Sequence, residues 1–221
     1  EVPVVHGMTV GEYATMVNSE GWLSGGIKCD LTIVKMENYN RNEEYILPIA
    51  PSPNLPNQKA IYLYPSLCFL EGTEISEGRG TDKPFQQFGY PDMPNGNTTF
   101  TPKSIDGIAK YPKLENQLCN GLDLSSIALD SLRKLKGLNL RWLIEAYNNY
   151  PEKEAFFKAK FFDKLAGNSQ LRQQIIANEL PSQILASWQE ELEEFNDLIL
   201  KKLEVANKQL KSFQDQLDDA N

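Results

Sequence analysis

The sequence predicts an α+β fold, in which a small mixed sheet with Gly- and Pro-rich loops precedes a helical C-terminal part that ends in a long helix. In the first half, stretches such as CDLTIVKMENY are rich in β-branched residues, which is typical of strands. From Ser125 onward, apolar residues recur three or four positions apart, which is typical of helices. A chain of 221 residues is long enough to bury a core.

The first element is predicted to be a helix from Val10 to about Ser19. Thr9 is followed three residues later by Glu12, which is the spacing of a capping box at a helix N-terminus. Gly21 stands where a glycine in the left-handed conformation commonly ends a helix.

Several short elements are expected to follow. CDLTIVKMENY and EYILPI (44–49) are predicted to be strands, and APSPNLPNQ (50–58) to be a rigid extended loop, because proline fixes φ. AIYLYPSLCFL (60–70) suggests a short helix or turn that leads into a buried strand. Residues 90–101 have the composition of a loop, and PKSIDGIAKYP (102–112) that of an edge strand.

The C-terminal part is predicted to contain a series of helices and then one long periodic segment, from Ser182 to about Leu217. The first half of this segment should pack on the domain. The half after about Lys201 either lies along its own domain or pairs with another helix. We therefore predict a domain over 1–200 and a helical tail over 201–221.

Composition argues against several classes of function. The net charge is −8 and the basic residues are scattered, which is unfavourable for binding nucleic acid. No run of about 18 apolar residues is present, so we expect no transmembrane segment. Three distant cysteines and a single histidine, His6, do not form a zinc-ligand pattern, and we expect neither a metal nor a cofactor. The phosphate-binding pattern GxxxxGK[ST] and the nucleophile pattern GxSxG do not occur.

The stretch EGTEISEGRGTDKPFQQFG (71–89) is the strongest candidate for a functional loop. Gly78 and Gly80 flank Arg79, and glycine allows a backbone to approach a ligand closely. The planar guanidinium of Arg79 suits a carboxylate or a sugar oxygen. Hydroxyl groups nearby come from Thr73, Ser76 and Thr81.

Two other interpretations of this stretch remain open. Arg79 could form an internal salt bridge with Glu71 or Asp82, in which case the loop is structural. Its acidic residues could also supply the pair of carboxyl groups that glycosidases use. The aromatic residues around the loop could stack on sugar rings, although filling the core suits most of them better.

Several motifs, taken in order, closely resemble the NamZ-type exo-β-N-acetylmuramidases, a family long catalogued as a domain of unknown function. They are VVHGMTVGEYATMVN, CDLTIVKMENY, PSPNLP, YPSLCFLEGTEISEGRGTDKPFQQFG and CNGLDL. The resemblance extends from about Val2 to Phe195, and its most specific part is EGTxxSxGRGTDKPF. Members release terminal N-acetylmuramic acid from peptidoglycan fragments. They have a Rossmann-like N-terminal domain and a smaller C-terminal domain, with the active site between the two.

The resemblance implies that this chain is the C-terminal domain and forms one wall of the substrate cleft. The segment with the family's catalytic Glu would lie upstream of Glu1, so the chain alone is expected to be inactive. The implied partners are a peptidoglycan-derived muropeptide or disaccharide and the N-terminal Rossmann-like domain of the same protein. Members are typically exported or cell-envelope proteins, so a periplasmic or extracellular location and a part in cell-wall recycling are expected.

The resemblance also suggests parts for individual residues. Arg79 would bind the lactyl carboxylate of muramic acid, and Glu71 would support it. Ser76, Thr81 and the backbone around Gly78 and Gly80 would bind hydroxyl or acetamide groups. The remaining candidates for substrate binding are Thr73, Asn54 and His6. The alternative is a non-catalytic module that binds peptidoglycan or a protein partner, with the tail helix as a contact.

Overall fold

The structure, a computed structural model, describes residues 2–41, 43–135 and 137–201. The structure confirms the α+β class, because the described residues form many helices and one small sheet, and the last of these helices is long. The helices are α1 (Val10–Ser19), α2 (Gln58–Leu67), α3 (Leu129–Arg133), α4 (Arg141–Asn149), α5 (Lys153–Phe156), α6 (Ala159–Ala166), α7 (Gln170–Ile176), α8 (Pro181–Ser187) and α9 (189–201). Short 3-10 turns occupy Ser24–Gly26 and Cys68–Gly72.

The sheet contains β1 (Gln87–Tyr90), β2 (Thr98–Phe100) and β3 (Cys119–Asp123). β3 lies in the middle, and both neighbours run antiparallel to it. Gly89 pairs with Gly121 across β1 and β3, where a Cβ on either glycine would lie within 2.6 Å of the opposite backbone. These two glycines therefore permit the close approach of the two strands.

The start of α1 agrees with the sequence prediction. Thr9 Oγ1 accepts from the Glu12 N–H, and the Glu12 carboxylate accepts from the Thr9 N–H, which completes the capping box. At the other end, Gly21 adopts φ +70° and the Trp22 N–H donates to the Val17 carbonyl. This is the bond of a Schellman motif, so the helix ends where the glycine predicted.

The strands predicted before residue 50 are wrong. Among the described residues, CDLTIVKMENY and EYILPI carry no regular strand, and many of their apolar side chains are exposed. Val34 is 91% exposed and Ile49 is 80% exposed. A strand requires a hydrogen-bonded neighbour as well as β-branched residues, and the described part of the chain pairs neither stretch with one.

Other local predictions have mixed outcomes. α2 confirms a helix after the Pro-rich loop, with the Asn57 side chain accepting from the Ala60 N–H at its start. A 3-10 turn takes the place of the buried strand expected after it. Residues 90–101, predicted as loop, contain β2, and the predicted edge strand at 102–112 is reduced to a single bridge between Ile105 and Ala109.

The predicted long segment from Ser182 is divided by a turn at residue 188 between α8 and α9. The part of the tail after residue 201 lies outside the described residues, and its predicted role stays a prediction. No helix in the described ranges is long and apolar enough to cross a membrane.

The chain divides into two compact units. One comprises Glu1–Glu44 with Ser187–Asn221, and the other is Tyr45–Ala186. The second unit contains α2 to α7, the sheet and most of the buried residues. In its core, Phe162 of α6 packs against Phe69, and the Phe162 backbone lies so close to Gly72 that a Cβ there would be 2.7 Å from the Phe162 Cα. This packing fixes the start of the Gly-rich loop.

Candidate functional site

The Gly-rich loop, residues 71–89, is held to the rest of its unit at several points. Thr73 forms a backbone bridge with Phe157, and Ser76 exchanges two backbone hydrogen bonds with Gly89, at 3.0 and 2.9 Å. Between these points the Phe85 N–H donates to the Glu77 carbonyl over 2.8 Å. Because its backbone groups are paired in this way, the loop is rigid rather than a solvated excursion of the chain.

The two glycines beside Arg79 serve the packing of the protein on itself. Gly78 and Gly80 have φ of +79° and +80°. A Cβ on Gly78 would lie 2.7 Å from the Lys83 carbonyl oxygen, and one on Gly80 would lie 2.5 Å from that of Lys103. The close backbone approach that the sequence suggested is therefore made to the chain's own carbonyl groups, which leaves Arg79 between two fixed points.

The three hydroxyl groups of the loop are engaged within it. Thr81 Oγ1 donates to the Gly78 carbonyl over 2.6 Å, and Ser76 Oγ accepts from the Gly78 N–H. Thr73 Oγ1 donates to the Leu70 carbonyl over 2.8 Å. Ser76 and Thr73 are almost completely buried. These side chains shape the loop by local turns, which is a common use of Ser and Thr.

Arg79 is one of two cations in the loop, and the other, Lys83, pairs with Asp123 at 2.6 Å. The Arg79 side chain is 40% exposed, and one terminal nitrogen lies 3.4 Å from Glu71 Oε2. The internal ion pair with Glu71 that the sequence left open is thus present. Its Nε is buried without a hydrogen-bond partner and lies 4.0 Å from Glu77 Oε1. Both contacts are longer than a charge-assisted hydrogen bond, so the guanidinium keeps donors for another acceptor.

The Glu71 carboxyl is partly shielded from water at the edge of this group. Burial raises the pKa of Glu71 above its ordinary value, and the nearby Arg79 opposes the shift. The Tyr64 hydroxyl lies 3.5 Å from Glu71 Oε1. The sequence suggested Glu71 as one possible partner of Arg79, whereas no motif marked Tyr64 for this position.

The buried Glu77 and the half-buried Lys113 form an ion pair next to Arg79. Lys113 Nζ lies 2.7 Å from Glu77 Oε2. The same ammonium donates to the carbonyls of Leu70 and Thr73, over 2.6 and 3.1 Å. Burial lowers the pKa of Lys113, and the charge of Glu77 opposes this shift.

No sequence motif predicted this pair. Glu77 was visible only as one of several acids in the loop, and Lys113 lies 36 positions further along the chain, in a stretch with no motif. Lysine is almost never buried unless it is paired. No local pattern marks a lysine that will be buried, so the pairing became visible only with the fold.

Phe85 supports Arg79 from within the loop. The guanidinium carbon lies 5.6 Å from the centre of the Phe85 ring, and Tyr64 packs edge-on against the same ring at 4.9 Å. Phe85 is buried and adopts φ +54°, which is unusual for a bulky side chain. Such backbone strain occurs mainly where surrounding structure over-determines it, often at functional sites. As expected, the buried aromatic residues Phe88 and Tyr90 fill the core.

Two weaker candidates have other surroundings. Asn54 is buried, and its side chain donates to the Ile108 carbonyl over 3.0 Å, so it joins the Pro-rich loop to the 105–109 turn. His6 belongs to the other compact unit, where Nδ1 accepts from the Met8 N–H and the ring stacks on Tyr13. Among the described residues of its own unit, Asn54 forms no hydrogen bond or ion pair with Arg79. Within the described ranges, no group of three or more His, Cys, Asp or Glu residues could hold a metal ion.

The arrangement defines a class of site: a rigid loop on an α+β domain that presents one partly exposed guanidinium, backed by an aromatic ring and by buried charges. Such a site suits an anion with planar oxygens, for which Arg offers a fork of N–H donors.

Comparison with known proteins gives the family. The sequence model for the C-terminal part of the exo-β-N-acetylmuramidase NamZ matches residues 62–203, and the model for the N-terminal part matches residues 1–59. The chain belongs to the NamZ family. The boundary between the two family models falls at about residue 60. It lies inside residues 1–200, which the sequence predicts to be one domain, and that domain assignment stays a prediction.

Two relatives illustrate the likeness. The chain is 34% identical over 210 residues to the peptidoglycan β-N-acetylmuramidase NamZ of Bacillus subtilis (strain 168), covering 88% of this chain and 49% of the relative. It also resembles the crystal structure of a DUF1343 family protein from Bacteroides fragilis NCTC 9343, with 47% identity and a TM-score of 0.82 over 88% of this chain and 54% of the other. The chain thus spans about half the length of these proteins.

Proposed function

We propose that the protein releases terminal N-acetylmuramic acid from peptidoglycan fragments, and that the Gly-rich loop forms part of the wall that binds this sugar. The observation that carries the proposal is Arg79: a partly exposed guanidinium whose terminal nitrogen is only loosely paired with Glu71, on the loop that carries the most specific part of the family resemblance. The name of the Bacillus relative supports a glycosidase that acts on peptidoglycan.

Muramic acid differs from glucosamine by a lactyl ether that carries a carboxylate. Arg79 would bind this carboxylate through charge-assisted hydrogen bonds. Its present contacts with Glu71 and Glu77 are 3.4 and 4.0 Å long, so a ligand carboxylate at hydrogen-bonding distance would compete well.

We propose further that the catalytic carboxyl group lies outside this chain. Glycoside hydrolysis requires an acid and a second carboxylate on either side of the bond. Glu77 is buried against Lys113, and Glu71 contacts Arg79, so both are already engaged with cations. On this account the chain contributes substrate binding, and the part of the N-terminal NamZ domain that this chain does not contain contributes the reacting groups. The substrate also suggests an exported protein of the cell envelope, periplasmic or extracellular, with a part in cell-wall recycling.

The test is hydrolysis of a chromogenic N-acetylmuramide by the full-length protein, with the matching N-acetylglucosaminide as the control substrate. We expect turnover of the muramide and little turnover of the glucosaminide. The 221-residue chain alone should be inactive and should support activity when it is joined to the rest of the protein. Equal turnover of both substrates, or full activity of the chain alone, would contradict the proposal.

A further inference from the structure

The ion pair of Glu77 and Lys113 is largely shielded from water and lies next to Arg79. The Glu77 side chain is 4% exposed and that of Lys113 is 18% exposed. Removing two charges from water costs more than their attraction usually returns, so a buried ion pair is weak grounds for stability. Apolar residues of similar size could fill the same space. The position of the pair, directly behind Arg79, suggests another use.

Glu77 is shared between two cations. Its Oε2 lies 2.7 Å from Lys113 Nζ, while its Oε1 lies 4.0 Å from Arg79 Nε. Lys113 is therefore the nearer partner, and Arg79 is left with the longer contact. The ammonium is also fixed by the Leu70 and Thr73 carbonyls, so it cannot move away from Glu77 without losing two hydrogen bonds.

We infer that Lys113 and Glu77 are positioning residues that keep the Arg79 guanidinium available for the carboxylate of the substrate, an inference that rests on the proposed function. Lys113 neutralises Glu77, and this leaves the charge of Arg79 for a ligand. Without Lys113, Glu77 would be a buried carboxylate with one cation in reach. Arg79 would then turn inward to pair with it, and the exposed donors would be lost.

This arrangement predicts a specific pattern among variants of the full-length protein. Lys113→Met should draw Arg79 onto Glu77 and weaken binding of N-acetylmuramic acid by about 10-fold or more, the range expected when a charged hydrogen bond is lost. The double variant Lys113→Met with Glu77→Gln removes both buried charges and should recover most of this binding. Binding of N-acetylglucosamine, which has no carboxylate, should stay nearly unchanged in both.

The measurement is competitive inhibition by the two sugars, with the melting temperature recorded for each variant. Selective loss for N-acetylmuramic acid in Lys113→Met and its recovery in the double variant are the expected results. If the two sugars are affected equally, or if the double variant is no better than the single one, the pair is merely structural and the inference is overturned.

Arg79→Ala in the same assay separates this inference from the proposed function. If Arg79→Ala leaves the preference for N-acetylmuramic acid intact, Arg79 does not bind the lactyl carboxylate, and that part of the proposed function fails together with this inference. If Arg79→Ala removes the preference and Lys113→Met does not, only the role of Lys113 fails. Should Lys113→Met not fold, Lys113→Arg gives the second test, because it keeps the charge and should retain the preference.

Discussion

The Phe85 N–H donates to the Glu77 carbonyl over 2.8 Å and thereby closes the part of the Gly-rich loop that carries Arg79. The two residues also act through their side chains: the Phe85 ring lies beneath the guanidinium, and the Glu77 carboxylate lies behind it. This hydrogen bond therefore joins the residue whose ring contacts Arg79 to the residue whose carboxylate contacts it. The stability of the loop and the accessibility of this cation are therefore linked.

Phe85→Ala should destabilise the domain by about 3–5 kcal/mol, the range measured for truncation of buried aromatic residues. The ring is 1% exposed and packs against Tyr64, so its removal leaves a cavity. Urea unfolding of the 221-residue chain measures the change. The matched control is Tyr111→Ala, since Tyr111 is 83% exposed and its loss should cost less than about 0.5 kcal/mol. Equal effects of the two substitutions would show that Phe85 does not support the loop.

Gly80→Ala should cost more stability than Gly107→Ala. Both glycines have positive φ, +80° and +71°, so both substitutions carry a similar backbone strain of about 1–2 kcal/mol. A Cβ on Gly80 would also meet the Lys103 carbonyl at 2.5 Å, whereas a Cβ on Gly107 would meet nothing within 4 Å. Thermal unfolding of the two variants gives the difference, which we expect to exceed about 1 kcal/mol. A difference near zero would mean that the segments around Gly80 and Lys103 can move apart without cost.

Asp163→Asn should destabilise the protein at neutral pH and have little effect in acid. The Asp163 carboxylate accepts two hydrogen bonds from Arg172, at 2.8 and 2.7 Å, and these lower the pKa of Asp163. A carboxyl group whose pKa is lower in the folded protein stabilises the fold at pH values above its pKa in the unfolded chain, about 3.9. This contribution is lost as the pH falls through the pKa of the folded protein. Because the pair is close to the surface, we expect at most about 1 kcal/mol.

The measurement for this pair is urea unfolding of both proteins at several pH values between neutral and strongly acidic. The curves of wild type and Asp163→Asn should converge as Asp163 becomes protonated. A difference that persists unchanged at the lowest pH would show that the substitution acts through packing rather than through the charge.

Cys29 should be the thiol that reacts rapidly with a disulfide reagent in the folded 221-residue chain. It is exposed, whereas Cys68 and Cys119 are buried. Burial raises the pKa of Cys68 to about 12 and that of Cys119 to about 11, so both stay protonated and unreactive near neutral pH. Cys29→Ser should abolish the rapid phase, and unfolding in denaturant should restore reaction of the other two. A rapid phase that survives in Cys29→Ser would contradict the burial of Cys68 and Cys119.

The sequence predicted those features whose causes lie within a few residues of each other. The capping box at Thr9 marks the start of α1 and the left-handed Gly21 marks its end. Each signal acts within one helical turn. The same is true of the Gly-rich loop, whose composition pointed to a special backbone. The exposed stretch around Val34 shows the limit, because its strand-like composition says nothing about where a partner strand would come from.

The site was predictable in the same local sense. Arg79 and Glu71 stood out because they lie within one motif, and the structure brings them to 3.4 Å. Lys113 could not be found in this way. Lys113 lies 36 positions after Glu77 in the sequence. Only the tertiary structure brings its ammonium to 2.7 Å from the Glu77 carboxylate.

The most direct test of the account is the preference of the full-length protein for N-acetylmuramic acid over N-acetylglucosamine as an inhibitor, compared between wild type and Arg79→Ala. If Arg79 binds the lactyl carboxylate, the variant should lose about 10- to 100-fold in affinity for N-acetylmuramic acid and almost none for N-acetylglucosamine. Its melting temperature should change little, since the side chain is partly exposed and its ion pairs are loose. An unchanged preference, or an equal loss for both sugars together with a large fall in melting temperature, would contradict the account and make Arg79 a structural residue.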